Sequence, residues 1–107
     1  MPEAGWVRVA SVSDVAEGQV HAVRVGEREI ALYHLSGGEF HATDNICTHE
    51  YAQLSDGWLE DGCIECPLHA ARFDVKTGKA LCAPAEQDLD VFETRVEGGD
   101  LLIKLPG

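Results

Sequence analysis

At 107 residues, 45% hydrophobic and 25% charged, the chain can form one folded domain with a single core and is too short to carry a second, catalytic domain. Nineteen acidic against eight basic residues give a formal charge of −11, which repels nucleic acid and anionic membrane and permits steering toward a basic protein face. Met1-Pro2-Glu3-Ala4-Gly5-Trp6 has neither a basic region nor an apolar run, so a cytoplasmic chain with no export signal and no membrane partner is expected.

Short apolar runs broken by Gly, Asp and Ser predict an all-β chain. Trp6 to Ala10, rich in Val, is a first strand. Ser13 to Gly18 reads as a polar turn with one helical turn begun by Ser13 or Asp14. Gln19 to Val25 and Glu29 to Leu35 pair across Gly26-Glu27 as a hairpin, and Ser36-Gly37-Gly38 turns into Phe40 to Thr43. Asp44-Asn45 leads out of that strand. Farther on, Cys63-Ile64-Glu65 and Arg72-Phe73-Asp74 are short strands, the second followed by a turn at Lys76-Thr77-Gly78-Lys79. Leu89 to Glu97 and Asp100 to Leu105 form a last hairpin across Gly98-Gly99, with Leu89, Val91 and Val96 half-buried and a bulge near Thr94.

Two short arms between these strands carry the chemistry. Cys47-Thr48-His49 is followed, after sixteen residues, by Cys66-Pro67-Leu68-His69, so each arm holds one thiol and one imidazole. A zinc finger usually pairs Cys with Cys in one arm and His with His in the other. A mixed arm suits a binuclear cluster, because one iron can take a Cys from each arm and the other iron a His from each. A structural zinc site, or four packing residues without metal, remain alternatives at this point, and the second gives no reason for the spacing.

Both arms, including the proline after the second cysteine, resemble the Rieske motif, and the whole chain is similar to the Rieske ferredoxins of bacterial ring-hydroxylating (aromatic) dioxygenase systems. The resemblance implies a small antiparallel β sandwich with an inserted Rieske cluster-binding subdomain, at about residues 44–84 of a single domain spanning 1–107. It implies one 2Fe-2S cluster, with Cys47 and Cys66 as thiolates on the inner iron and His49 and His69 on the outer iron. No residue would be catalytic. The chain would be a soluble low-potential carrier, a monomer, passing single electrons from a flavoprotein reductase to a terminal Rieske non-haem iron dioxygenase of aromatic hydrocarbon catabolism, with both contacts transient. A small Rieske subunit of a nitrite-reductase-type complex is the competing implication. Ala83-Pro84-Ala85 resembles the loop that covers the cluster, and Leu68, Pro84 and Tyr51 are candidates for its apolar rim.

Departures from the respiratory members of the family bear on the potential. Ala52 and Leu68 stand where those proteins carry a disulfide, and Ala71 and Phe73 where their Ser and Tyr donate hydrogen bonds to sulfur. Two ferric ions, two sulfides and two thiolates sum to zero, so reduction makes the site negative, and donors to sulfur favour that state. Without the two hydroxyls the predicted potential is roughly −150 mV, at the foot of the Rieske range.

Other residues are read more plainly. Cys63 and Cys82 are expected to be small, buried or half-buried thiols. His21, His34 and His41 fall in strands as surface or hydrogen-bonded residues, and Trp6 and Trp58 as packing residues. Glu50, Asp56, Glu60, Asp61 and Glu65 form an acidic run without Lys or Arg, which reads either as a solvated surface or as a docking face.

Overall fold

Ile30-Ala31-Leu32-Tyr33 is apolar at four consecutive positions, a pattern that suits a strand covered on both faces rather than one half-exposed to water. A computed structural model, which describes residues 5–46, 53–67, 71–82 and 88–105 (of Cys82 only the backbone), shows such a strand. The described residues form ten strands: β1 (Trp6–Ser11), β2 (Val20–Val25), β3 (Arg28–Leu35), β4 (Glu39–Asp44), β5 (Trp58–Glu60), β6 (Cys63–Glu65), β7 (Arg72–Asp74), β8 (Ala80–Cys82), β9 (Val91–Glu97) and β10 (Asp100–Lys104). Six of them make one antiparallel sheet in the order β1-β10-β9-β4-β3-β2. The other four make a second, β5-β6-β7-β8, inserted in sequence between the neighbours β4 and β9. The all-β sandwich with an insert is therefore borne out.

All four residues of the β3 run are fully buried. Ile30 and Leu32 point into a core with Ala10, Val15, Ala42, Phe92, Leu101 and Ile103. Half-buried Val7 and Val9 of β1 and Val23 and Val25 of β2 pack against that same core, so the sheet curls until its two edges share one interior. Ala31, Tyr33 and Leu35 point the other way, into a core completed by Leu54, Ile64, Cys66, Ala71, Phe73, Val75 and Leu89. The inserted sheet thus packs on the outer face of β3.

The predicted hairpins form with the turns their glycines allow. Val25 pairs with Arg28 across a two-residue loop in which Gly26 has φ 63° and Glu27 stays at negative φ, the pattern of a II′ turn. The helical turn is a 3-10 turn at Val12–Asp14, earlier than expected, because the Asp14 carboxylate reaches back to the Ser11 N–H at 3.0 Å and so closes the turn instead of opening it.

The last hairpin differs in three ways. The β9 strand begins at Val91, two residues late, and its register against β10 runs unbroken through Thr94, whose hydroxyl donates to the Phe40 carbonyl at 2.9 Å. The irregularity lies in β1 instead, between Arg8 and Ala10. Val91 and Val96 are exposed, at 44% and 50%. Phe92 faces the core, so strand alternation turns Val91 outward, while Val96 shares the inner face but sits at the end of the ribbon beside Gly98-Gly99.

A buried polar pair ties β3 to β4. The Tyr33 hydroxyl lies 2.8 Å from Thr43 Oγ1, and Thr43 donates its own proton to the Asp44 carbonyl at 2.9 Å, which makes Tyr33 the donor to Thr43. Burial pushes the Tyr33 phenol well above its ordinary range, so it stays protonated. Leu32→Ala is expected to lower the unfolding free energy by about 2–5 kcal/mol, and Tyr33→Phe by about 1 kcal/mol. Guanidinium unfolding checks both; equal losses would mean that the β3 interior is held by the polar pair rather than by packing.

Candidate metal centre

The first arm leaves the six-stranded sheet where β4 ends. Asn45 is fully buried there, and its amide works in both senses. Oδ1 accepts the Ser55 N–H at 2.8 Å and Nδ2 donates to Ser55 Oγ at 3.1 Å. Its backbone N–H donates to the Glu29 carbonyl at 3.0 Å, and its carbonyl accepts the Leu54 N–H at 2.6 Å. An Asp could not make the donation to Ser55 Oγ once ionised. Ile46 then pairs with Gln53 as an antiparallel bridge, and Gln53 Nε2 donates to Glu29 Oε1 at 3.2 Å. Residues 47–52 thus leave and return through one pinned base.

The second arm is the tip of the β6–β7 hairpin. Glu65 pairs with Arg72, and the Cys66 N–H donates to the Ala71 carbonyl at 2.7 Å, which pins the base of this arm. The two bases touch at Gly57, where a Cβ would run into the Glu65 carbonyl oxygen. Only glycine permits that approach.

Of the predicted ligands the structure places Cys66, buried at 1% exposure at the mouth of the second arm. Cys47, His49 and His69 lie outside the described residues, as do Tyr51, Ala52, Leu68 and the loop Ala83-Pro84-Ala85. The geometry fits a metal-bound thiolate at Cys66. In that apolar core with Ile64, Ala71 and Phe73 a thiolate is costly to hold as a buried charge, and bound iron would offset that charge. Ala71 and Phe73 are both fully buried, and neither side chain carries a hydroxyl that could donate to sulfur.

The remaining histidines are sorted by their partners. His34 Nδ1 sits 2.7 Å from the Val15 carbonyl, so this nitrogen carries the proton, and its ring stacks on Phe40 with centroids 4.2 Å apart. His21 is exposed. Burial holds the half-buried His41 below the ordinary imidazole range, and its Nε2 has no hydrogen-bond partner among the described residues. Cys63 is half-buried, as expected, with Sγ 3.9 Å from the Asp61 carbonyl. Trp6 packs at 8% exposure beneath the Arg95 guanidinium, but Trp58 is 60% exposed and does not pack. That corrects its reading as a packing residue: alternation turns it away from the core that its neighbour Leu59 joins.

Where the chain leaves and re-enters the six-stranded sheet, two carboxyls meet. The Asp44 N–H donates to the Asp90 carbonyl at 3.0 Å. Burial, above all, raises the Asp44 carboxyl from its ordinary 3.8; the Arg28 charge opposes this and Asp90 adds to it.

Comparison with known proteins follows the same lines. The family described as "Rieske [2Fe-2S] domain" matches residues 5–93. The ferredoxin component of the naphthalene 1,2-dioxygenase system of Pseudomonas putida is 49% identical over 100 residues, which covers 94% of this chain and 95% of that one. Among solved structures, the Sphingomonas yanoikuyae B1 ferredoxin superposes with a TM-score of 0.88 at 35% identity, covering 94% of this chain and 98% of its own. A chain from the complex of reduced oxygenase and oxidised ferredoxin in carbazole 1,9a-dioxygenase superposes at 0.86 with 38% identity, covering 95% and 94%.

Two variants probe this geometry. Gly57→Ala is expected to cost about 1–3 kcal/mol and to lower the iron retained per chain; full iron retention would show that the two bases can part without consequence. For Asp44, the raised folded value means that the folded chain holds this proton more tightly than the unfolded chain. Its contribution is therefore present at low pH and is lost as pH rises through the raised value. The melting-temperature difference between Asp44→Asn and wild type should then grow in the variant's favour from about pH 4 to neutrality, and a flat difference would leave Asp44 an ordinary carboxylate.

Proposed function

This chain belongs to the Rieske 2Fe-2S family, and we propose that it is the soluble low-potential ferredoxin of an aromatic-ring dioxygenase system, passing single electrons from a flavoprotein reductase to a terminal Rieske non-haem iron oxygenase. The observation that carries this reading is the 49% identity to a dioxygenase ferredoxin component across 95% of that component's length. The carbazole dioxygenase complex gives the oxygenase, as a partner, a structural precedent. The relatives are named as ferredoxin components, electron carriers rather than enzymes by themselves.

When bound, the cluster supplies a one-electron couple. The chain's part is to hold it, insulate it and set its potential. Cys47 and Cys66 are proposed to hold the inner iron as thiolates, and His49 and His69 the outer iron. Cys66 enters its arm from β6, and its N–H bond to Ala71 fixes the loop base, so the thiolate is positioned by backbone rather than by a mobile side chain. Asn45 fixes the base of the arm that carries Cys47 and His49. Ala71 and Phe73 keep hydroxyl donors away from sulfur, which favours the oxidised state and a low potential.

The four-stranded sheet and its two pinned arms support a cluster-binding subdomain at about residues 44–84 within a single domain of residues 1–107. A cytoplasmic monomer suits a shuttle that must leave each partner after one electron, and the charge of −11 suits steering toward a basic face. Among the described residues no helix is long and apolar enough to cross a membrane.

The test is a dithionite-reduced sample studied by electron paramagnetic resonance, with iron and zinc measured on the same protein. Two irons per chain, a low-average-g signal and a midpoint at roughly −150 mV are expected, with the midpoint raised by Ala71→Ser or Phe73→Tyr. One zinc and no signal, even after reconstitution with iron and sulfide, would overturn the reading. A midpoint above zero would remove the argument from the missing hydroxyls.

A further inference from the structure

The inserted sheet has an inner and an outer face. Leu59, Ile64, Phe73 and Ala80 share the inner one and pack on the core beside β3. Alternation and register put Trp58, Glu60, Cys63, Glu65, Arg72 and Asp74 on the outer one. Trp58 is the most exposed large apolar side chain among the described residues, at 60%. An indole left in water beside a well-packed core is a candidate anchor for another protein, since Trp is among the residues that dominate interface energetics.

Its position ties it to electron transfer. The cross-strand row Trp58, Glu65, Arg72 is the end of the sheet nearest both arms: Trp58 follows the Gly57 contact at the exit of the first, and Glu65 immediately precedes Cys66 in the second. A partner seated on this row lies beside the bases of both arms. The charge around it has one dominant sign. Asp56, Glu60 and Asp61 are exposed and Glu65 is half-exposed, against the single cation Arg72 among the described residues of that face. Such a face is complementary to a patch of Lys and Arg, whose cations can both cover an indole and pair with carboxylates.

We propose that the outer face of β5–β7, centred on Trp58, is the docking surface for the terminal oxygenase, which meets it with a basic patch whose cationic side chain stacks on the indole. The proposal rests on the carrier reading above and takes the oxygenase as occupant because it is the partner with structural precedent. Trp58 anchors the contact, and Glu60, Asp61 and Glu65 set its approach and orientation.

The experiment is stopped-flow electron transfer from the reduced, cluster-loaded chain to the oxidised terminal oxygenase of a naphthalene 1,2-dioxygenase system. Trp58→Ala is expected to lower the second-order rate constant about tenfold while the paramagnetic resonance spectrum and midpoint stay as in wild type. The double variant Glu60→Gln, Asp61→Asn should slow transfer at low salt and flatten its fall with ionic strength. Val96→Ala, exposed on the other sheet, should match wild type. Wild-type rates in Trp58→Ala overturn the surface. Slowed reduction by the flavoprotein reductase with undiminished delivery to the oxygenase overturns the choice of partner. Should Trp58→Ala disturb the cluster spectrum, the charge variant decides alone, and a salt dependence equal to that of wild type rejects the proposal. A loaded wild-type chain that passes no electron to the oxygenase defeats the carrier reading and the surface with it.

Discussion

The Ile30–Tyr33 stretch of strand β3 has no face toward water, and the rest of the fold is arranged around that constraint. Ile30 and Leu32 need one apolar cover, Ala31, Tyr33 and Leu35 another. The curled six-stranded sheet supplies the first by bringing its own edges over the inner face. The second has to come from a separate layer, and the insert β5–β8 provides it. Burying a side chain of this size is worth about 1.5–3 kcal/mol, so several such residues hold the insert firmly in place.

Position follows from that packing. Each of the two segments that carry the motif begins and ends on a base that has little freedom. The Asn45–Ser55 pair and the Ile46–Gln53 bridge fix one base, the Cys66–Ala71 bond fixes the other, and Gly57 lets them meet. A redox centre gains from this arrangement. Electron transfer changes its charge, and a scaffold fixed by backbone hydrogen bonds has little to rearrange when the charge changes.

Much of this was legible in the sequence where local pattern and chemistry agree. The strands at Cys63–Glu65 and Arg72–Asp74 were found because they flank a ligand arm and end in turn residues, and the Gly26-Glu27 and Gly98-Gly99 hairpins because only certain residues make such turns. The strands β5 and β8 and the 3-10 turn at Leu54–Asp56 were not found. Each is three residues long, too short to show a period; the two strands exist because their sheet neighbours pair with them, and the turn because Asn45 holds Leu54 and Ser55 from across the chain. Asn45 was read only as leading out of its strand, and its full burial did not show, because its partner Ser55 lies ten residues away and only tertiary structure joins them. The motif singled out Cys66 as a candidate ligand, while its burial among Ile64, Ala71 and Phe73 could be known only from the packing. Trp58 was misjudged for a related reason: composition says that tryptophans pack, and register alone says which way this one points.

Because β4 and β9 are neighbours in the sheet, the chain departs for the insert and comes back through a single seam, with Ala42 beside Phe92 and Thr43 beside Val91. The host sheet therefore owes none of its own pairing to the insert. A newly made chain can zip that framework while the iron-bearing layer is still loose, since closing a long excursion costs little more entropy than closing a short one. Until the layer docks, Ala31, Tyr33 and Leu35 form an open apolar strip on the back of β3. Docking of the inserted layer therefore does two things at once for this small protein: it places the two arms, and it covers an apolar strip that would otherwise be open to association with other chains.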